Sequence, residues 1–186
     1  VTDNEDHLRS VIRLSVRTMD DARALYEALL QTYLFAGFPV ALEALAVLHE
    51  EVITILPDTQ WVSSESYDVD AFQDRGTDLC AQVYGSVFDR MMDRLGTITP
   101  ELSQWMIIEG YGKTLARTGL SIVNRELCIV SVLAVLQRKN QLVSHVRGAL
   151  NVGATVADLY HCADAVTEWA GDAAGSLLRH TIDAYA

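Results

Sequence analysis

Apolar residues recur along this chain three and four positions apart, the spacing that places them on one face of an α-helix. Alternation of apolar and polar residues, the mark of a half-buried strand, is scarce. Thr18 and Asp21 form a capping-box pattern with an acidic first turn, opening a helix through Leu25, Leu29 and Leu30 to about Tyr33. Gly37 breaks the chain. Pro39 then suits a first helical turn, and Ala41–Leu56 follows as an apolar helix. From Pro57 to about Val69 the chain is polar, Ser-rich and carries Trp61, which reads as a connecting loop.

Helical spacing resumes over Asp70–Leu95, with interruptions expected near Gly76 and Gly85. Thr99, Pro100 and Glu101 give a cap, a proline and an acid in the order that starts a helix, which runs to about Arg117 before Gly119. Ser121 caps the next helix. It contains the run LCIVSVLAVL and is expected to end in the basic pair Arg138 and Lys139. Asn140 opens another, stopping at Gly153. Thr155 with Asp158 is a second capping box, and a break is expected near Gly171. The pattern predicts an all-α fold of about seven or eight helices. The helix over 122–137 is apolar almost all round, so it belongs at a bundle centre or a subunit interface.

Composition narrows the class. The chain has 186 residues, of which 50% are hydrophobic and 21% charged, enough apolar content for a folded core rather than a disordered chain. Its net charge of −11 argues against a nucleic-acid partner and against an anionic membrane surface. The longest greasy run, Leu127 to Leu136, is too short to span a bilayer. The acidic start, Val1 to Asp6, does not read as a secretion signal. Cys80, Cys128 and Cys162 are odd in number and form no CxxC pattern, which fits a reducing cytoplasm and gives no zinc-ligand spacing.

No P-loop, GxGxxG, HExxH, GxSxG or EF-hand loop occurs, so no metal or nucleotide site is expected. The most informative stretch is Leu120–Asp158. There Arg125 and Glu126 enter an otherwise apolar helix, and His145 lies on the next one. A short loop makes these helices antiparallel, so Glu126 and His145 are placed to face one pocket. A carboxylate and an imidazole in apolar surroundings relay protons near neutral pH. The same pair also reads as buried polar groups that merely satisfy each other.

This stretch resembles the carboxymuconolactone decarboxylase family of the alkylhydroperoxidase D-like superfamily. The matching residues are Arg125, Glu126 and Leu127, then Gln141, Leu142 and His145, then Gly148 to Asn151 and Gly153 to Thr155. Upstream, Val83 to Gly85, Pro100 to Leu102 with Trp105, Tyr111 with Gly112, and Gly119 to Ser121 also fit, covering roughly residues 80–170. The resemblance implies an alkylhydroperoxidase D-like helical bundle that assembles as a homo-oligomer, trimer or hexamer, with sites near subunit contacts. It implies a site built on Glu126 and His145. In the decarboxylase branch the substrate is a carboxylated lactone from aromatic-acid breakdown and no cofactor is needed.

The peroxidase branch of the superfamily carries a CxxC just before the histidine. Arg138 and Gln141 stand at those positions here, so the internal disulfide cycle is missing. Cys128 lies about 200° around the helix from Glu126 and reads as a small buried hydrophobe. Tyr33 to Pro39 and Ala41 to Ala44 resemble the turn that joins the family's last two helices. Residues 1–56 therefore read as a degenerate partial copy, 57–69 as a connecting loop and 70–186 as the family-like domain.

Three functions follow. The first is a cofactor-independent lyase or isomerase acting on a small organic acid, with His145 delivering a proton and Glu126 orienting it or setting its charge state. Arg125 or Arg147 would hold a substrate carboxylate, and Trp105 and Tyr111 would wall the pocket. The second is a thiol-dependent redox protein using Cys128 or Cys162. The third is a non-catalytic oligomeric binding protein of the same fold.

Overall fold

The computed structural model describes residues 5–57 and 65–186. Trp61 and the middle of the expected connecting loop lie outside them, as does the chain start up to Asn4. The described residues are all helical or irregular, and the α-helices in chain order are α1 (Glu5–Ser15), α2 (Met19–Leu30), α3 (Tyr33–Ala36), α4 (Phe38–Ile55), α5 (Val69–Tyr84), α6 (Phe88–Ile98), α7 (Pro100–Trp105), α8 (Ile122–Val135), α9 (Lys139–Asn151), α10 (Val156–Ala170) and α11 (Asp172–Tyr185). A 3-10 turn (Gly85–Val87) joins α5 to α6, and a π-helix (Met106–Leu115) continues directly from α7. The all-α class stands. The helices are more finely divided than the pattern suggests, because α1 precedes the first expected helix, α3 is a single turn and α7 gives way to the π-helix, while the breaks at Gly37 and Gly85 fall where the pattern puts them.

The caps account for most boundaries. Both capping boxes form: Asp21 N–H donates to Thr18 Oγ1 at 3.2 Å, and Asp158 N–H donates to Thr155 Oγ1 at 3.1 Å. In each, the acid also accepts from the backbone N–H of the capping threonine. Ser121 accepts from Asn124 N–H and starts α8. These bonds satisfy backbone donors that a helix start otherwise leaves orphaned.

The chain divides into two compact units, Val1–Tyr67 with Thr118–Leu120, and Asp68–Arg117 with Ser121–Ala186. In the first unit α1 and α2 pack on α4 around Ile12, Val16, Ala22, Val47, Leu48 and Val52. In the second, α8 packs against α9, α10 and α11, and α5 packs against the π-helix and α9.

Two boundaries differ from the sequence pattern. Gly76 does not interrupt α5. A Cβ there would lie 2.2 Å from the Ile107 carbonyl oxygen, and one on Gly112 would lie 1.9 Å from that of Phe72. The two glycines let α5 and the π-helix touch backbone to backbone, so Gly76 serves packing rather than a bend. The second difference concerns α8, which ends at Val135. Gln137 turns the chain with φ 56°, and Arg138 is already the N-terminal cap of α9. The basic pair therefore begins one helix rather than ending the other.

No helix among the described residues is long and apolar enough to cross a membrane.

Candidate functional site

α8 buries Glu126, Ile129, Val130 and Leu133, and α9 buries Leu142, His145, Val146 and Ala149. Each set follows helical spacing, so Glu126 sits within one apolar stripe, with Arg125 buried beside it, and His145 within the other. The two polar residues meet. His145 Nδ1 and Glu126 Oε2 are 2.8 Å apart, with Glu126 fully buried and His145 nearly so. Against a carboxylate the imidazole donates from Nδ1, which fixes the ring orientation. The second carboxylate oxygen, Glu126 Oε1, is buried with no hydrogen-bond partner.

Gly148 makes room for this pair. A Cβ at that position would lie 3.1 Å from Glu126 Oε2 and 2.7 Å from Val83 Cγ1. One turn later Asn151 Nδ2 donates to the Val83 carbonyl at 2.8 Å, tying the end of α5 to α9. That carbonyl would otherwise be one of the orphans of a helix C-terminus.

α5 and the π-helix add three more protic side chains. Cys80 and Tyr111 are buried, and Tyr84 is partly buried. The Tyr84 ring stands edge-on to Tyr111 at 6.2 Å between centroids and edge-on to His145 at 6.3 Å. Burial pushes the Cys80 thiol up to about 12, and the Glu126 carboxylate adds to this. Burial also pushes the Tyr84 phenol up to about 12, with the Tyr111 hydroxyl pulling it down. Tyr111 is raised well above the ordinary phenol value, first by burial and then by Tyr84 and Glu126. The two hydroxyls are thus near neighbours, yet Tyr111 Oη meets no hydrogen-bond partner in acceptable geometry.

Tyr111 owes its position to the π-helix. Ala116 N–H donates to the Tyr111 carbonyl, and Thr114 Oγ1 donates to that of Glu109, both spanning five residues. Arg75 Nε donates to the Gly112 carbonyl from α5. π-Helical turns are rare and occur often where function needs a side chain re-aimed.

Of the residues singled out by the sequence, Glu126, His145 and Tyr111 come together. Arg125 is fully buried, and its Nη2 donates to the Arg117 carbonyl at 2.9 Å. Arg147 is exposed, with its guanidinium 4.9 Å from the Tyr185 ring centroid. Trp105 is 55% exposed at the end of α7. Cys80 and Tyr84 join the cluster unannounced. The spacing over Asp70–Leu95 predicts their helix and the Val83–Gly85 match includes Tyr84, but nothing in the spacing points either side chain at the site. Among the described residues, no group of three or more His, Cys, Asp or Glu is placed to hold a metal.

Peroxisomal protein 2 of Schizosaccharomyces pombe (strain 972 / ATCC 24843) is 28% identical over 132 residues, which are 70% of this chain and 61% of that protein. The chain therefore spans about three fifths of the length of this curated relative. Residues 101–180, which hold Tyr111, Glu126, His145 and Gly148, match the carboxymuconolactone decarboxylase family. The all-α fold and this match give the same answer: over residues 101–180 the chain carries a carboxymuconolactone decarboxylase family domain.

Proposed function

We propose that the protein is a cofactor-independent lyase that acts on a small carboxylated lactone or related organic acid by proton transfer. The buried Glu126–His145 pair carries this reading. A carboxylate is expensive to bury, and a hydrogen-bonded imidazole is the partner that both offsets the cost and can carry a proton. With Nδ1 committed to Glu126, Nε2 is the atom that passes a proton to substrate. Loss of CO2 breaks a carbon–carbon bond and leaves its electron pair on a conjugated carbanion, which His145 then protonates at carbon. Solvent returns the proton to the imidazole.

Arg125 and Arg147 are proposed to balance the substrate carboxylate, and Trp105 to serve where a second copy of the chain covers it, in a trimer or hexamer. The cytoplasm is the proposed location, on the ground that Cys80, Cys128 and Cys162 are free thiols. The relative's name speaks of the peroxisome for that protein. A thiol peroxidase is less well supported. Burial pushes Cys80 to about 12 and Cys128 to about 11, and it raises Cys162 as well, whereas a reactive thiol is held low.

The test is CO2 release from 4-carboxymuconolactone in D2O, with deuterium incorporation at the protonated carbon. His145→Asn keeps a donor where Nδ1 stands but has no second ring nitrogen. It should lower kcat by about 10²–10⁴-fold while leaving the fold intact. Turnover by His145→Asn at the wild-type rate would sink the proposal.

A further inference from the structure

The pair at Glu126 and His145 accounts for proton movement but not for where the electrons go. A carbanion formed beside it needs a carbonyl oxygen to take the charge, and that oxygen needs donors. Tyr111 is the one phenol of the cluster that is fully enclosed, at 3% exposure, and its hydroxyl has no hydrogen-bond partner in acceptable geometry. A buried, unpaired hydroxyl costs stability that a phenylalanine in the same place would not. The Tyr84 ring stands edge-on to both Tyr111 and His145, with centroids 6.2 and 6.3 Å away. The two phenols therefore line the approach to the imidazole, and Tyr84, being partly exposed, marks where a ligand would enter.

We propose that the Tyr111 hydroxyl, assisted by that of Tyr84, is the oxyanion-binding half of this site and selects small enolisable lactones or keto acids by holding their carbonyl oxygen. The proposal rests on the lyase reading of Glu126 and His145 and extends it to the electron sink. As the bond to the carboxylate breaks, the electron pair moves through the conjugated system onto the carbonyl oxygen, which accepts the Tyr111 O–H hydrogen bond. CO2 departs, the electron pair returns from the oxygen to carbon, and the proton from His145 Nε2 forms a new carbon–hydrogen bond there. Both phenols stay protonated throughout. Burial holds them neutral at physiological pH, so they act as hydrogen-bond donors and not as acids. The matched segment begins at residue 101, so Tyr84 lies outside it, within the Val83–Gly85 stretch that resembles the family. Its placement comes from α5 alone.

Tetronic acid, an enol-lactone that is an enolate at neutral pH, is the probe. It is titrated calorimetrically into the full chain, and each variant's melting temperature is measured alongside. Wild type should bind it. Tyr111→Phe should bind roughly tenfold more weakly or worse, because the lost bond is to a charged oxygen. Its melting temperature should be equal to or above wild type, and in turnover kcat should fall with KM little changed. Tyr84→Phe should show a smaller loss of tetronate binding. Failure of wild type to bind tetronate overturns the proposal. So does unchanged binding by Tyr111→Phe, or a drop of several degrees in its melting temperature, which would make the hydroxyl structural. His145→Asn separates the two readings. It should still bind tetronate, so a variant that binds tetronate and also turns over normally overturns the lyase reading while leaving the phenol site in place.

Discussion

A Cβ on Gly148 would lie 3.1 Å from Glu126 Oε2, the same oxygen that meets His145 Nδ1 at 2.8 Å. On α9, His145 holds that carboxylate oxygen and the bare backbone of Gly148 leaves room for it. Gly148→Ala would press the methyl against both Glu126 and Val83 Cγ1, at 2.7 Å. Overpacking of this kind costs about 1–3 kcal/mol, and here part of the strain falls on the carboxylate. The expected outcome is a folded protein with a lower melting temperature and a larger loss of CO2 release than its stability loss explains. Wild-type kcat in Gly148→Ala would separate the glycine from the site.

The contact between α5 and the π-helix is less forgiving. A Cβ on Gly112 would stand 1.9 Å from the Phe72 carbonyl oxygen, and backbone cannot rotate away as a side chain does. Gly112→Ala should cost about 3 kcal/mol or more. Gly110 in the same π-helix provides the control, since a Cβ there meets nothing within 4 Å. Gly110→Ala should be neutral or stabilising, by about 0.4–1 kcal/mol, through its effect on the unfolded chain. Chemical denaturation of both variants decides this. Equal losses at the two positions would contradict the packing account.

These glycines show where sequence reading stops. Thr18, Thr155, Ser121 and Thr99 announce their helices because a cap is a local device, complete within four residues. Glu126 and His145 are legible because polar residues stand out within apolar stripes and a short loop brings the stripes together. Gly76 reads as a break, because its partner Gly112 is 36 positions away and close backbone contact leaves no local trace. The π-helix is hidden for the same reason: its spacing is near that of an α-helix, and only the packing of Tyr111 and Gly112 selects it. Cys80 and Tyr84 reach the site through that same non-local contact.

The amino-terminal region shows a weaker kind of legibility. Gly37 has φ 88° and ψ 165°, and Gly171 has φ 91° and ψ 167°. Each glycine's N–H donates to the carbonyl four residues back, and each starts the following helix without a side-chain cap. The two turns joining α3 to α4 and α10 to α11 are the same backbone motif, at a conformation that favours glycine. This likeness supports the proposal that residues 1–56 are a partial copy of the end of the family domain.

The thiols should be quiet. With Cys80 held at about 12 and Cys128 at about 11 by burial, the thiolate at pH 8 is a fraction on the order of 10⁻⁴ and 10⁻³ respectively. Iodoacetamide should therefore label the folded protein slowly at both sites, with rapid labelling of all three cysteines only in denaturant. Replacing the three cysteines with alanine or serine should leave CO2 release within a few-fold of wild type. Rapid labelling of Cys80 in the folded state, or loss of turnover that tracks a single cysteine, would favour thiol chemistry instead.

Glu51 gives the first unit a pH-dependent anchor. It accepts from Arg13 Nε at 2.6 Å and Nη2 at 2.8 Å, and from Arg9 Nη1 at 2.9 Å, joining α4 to α1. The Arg13 hydrogen bonds, then those of Arg9, hold its carboxyl at about 2 against an ordinary 4.5, with burial opposing. A carboxylate lowered in the folded state stabilises above its unfolded value and loses that contribution as pH falls through the folded one. The contribution should therefore be complete above about pH 5 and fade between 4.5 and 2. Glu51→Gln keeps the shape but removes the charge. Its melting temperature should lie below wild type at pH 7, and the gap should close as both proteins are taken toward pH 2. The same gap should shrink only modestly in 1 M salt, because Glu51 itself is 5% exposed and screened less than a surface acid. A gap that stays constant from pH 7 to pH 2 would show that the amide loses packing rather than charge.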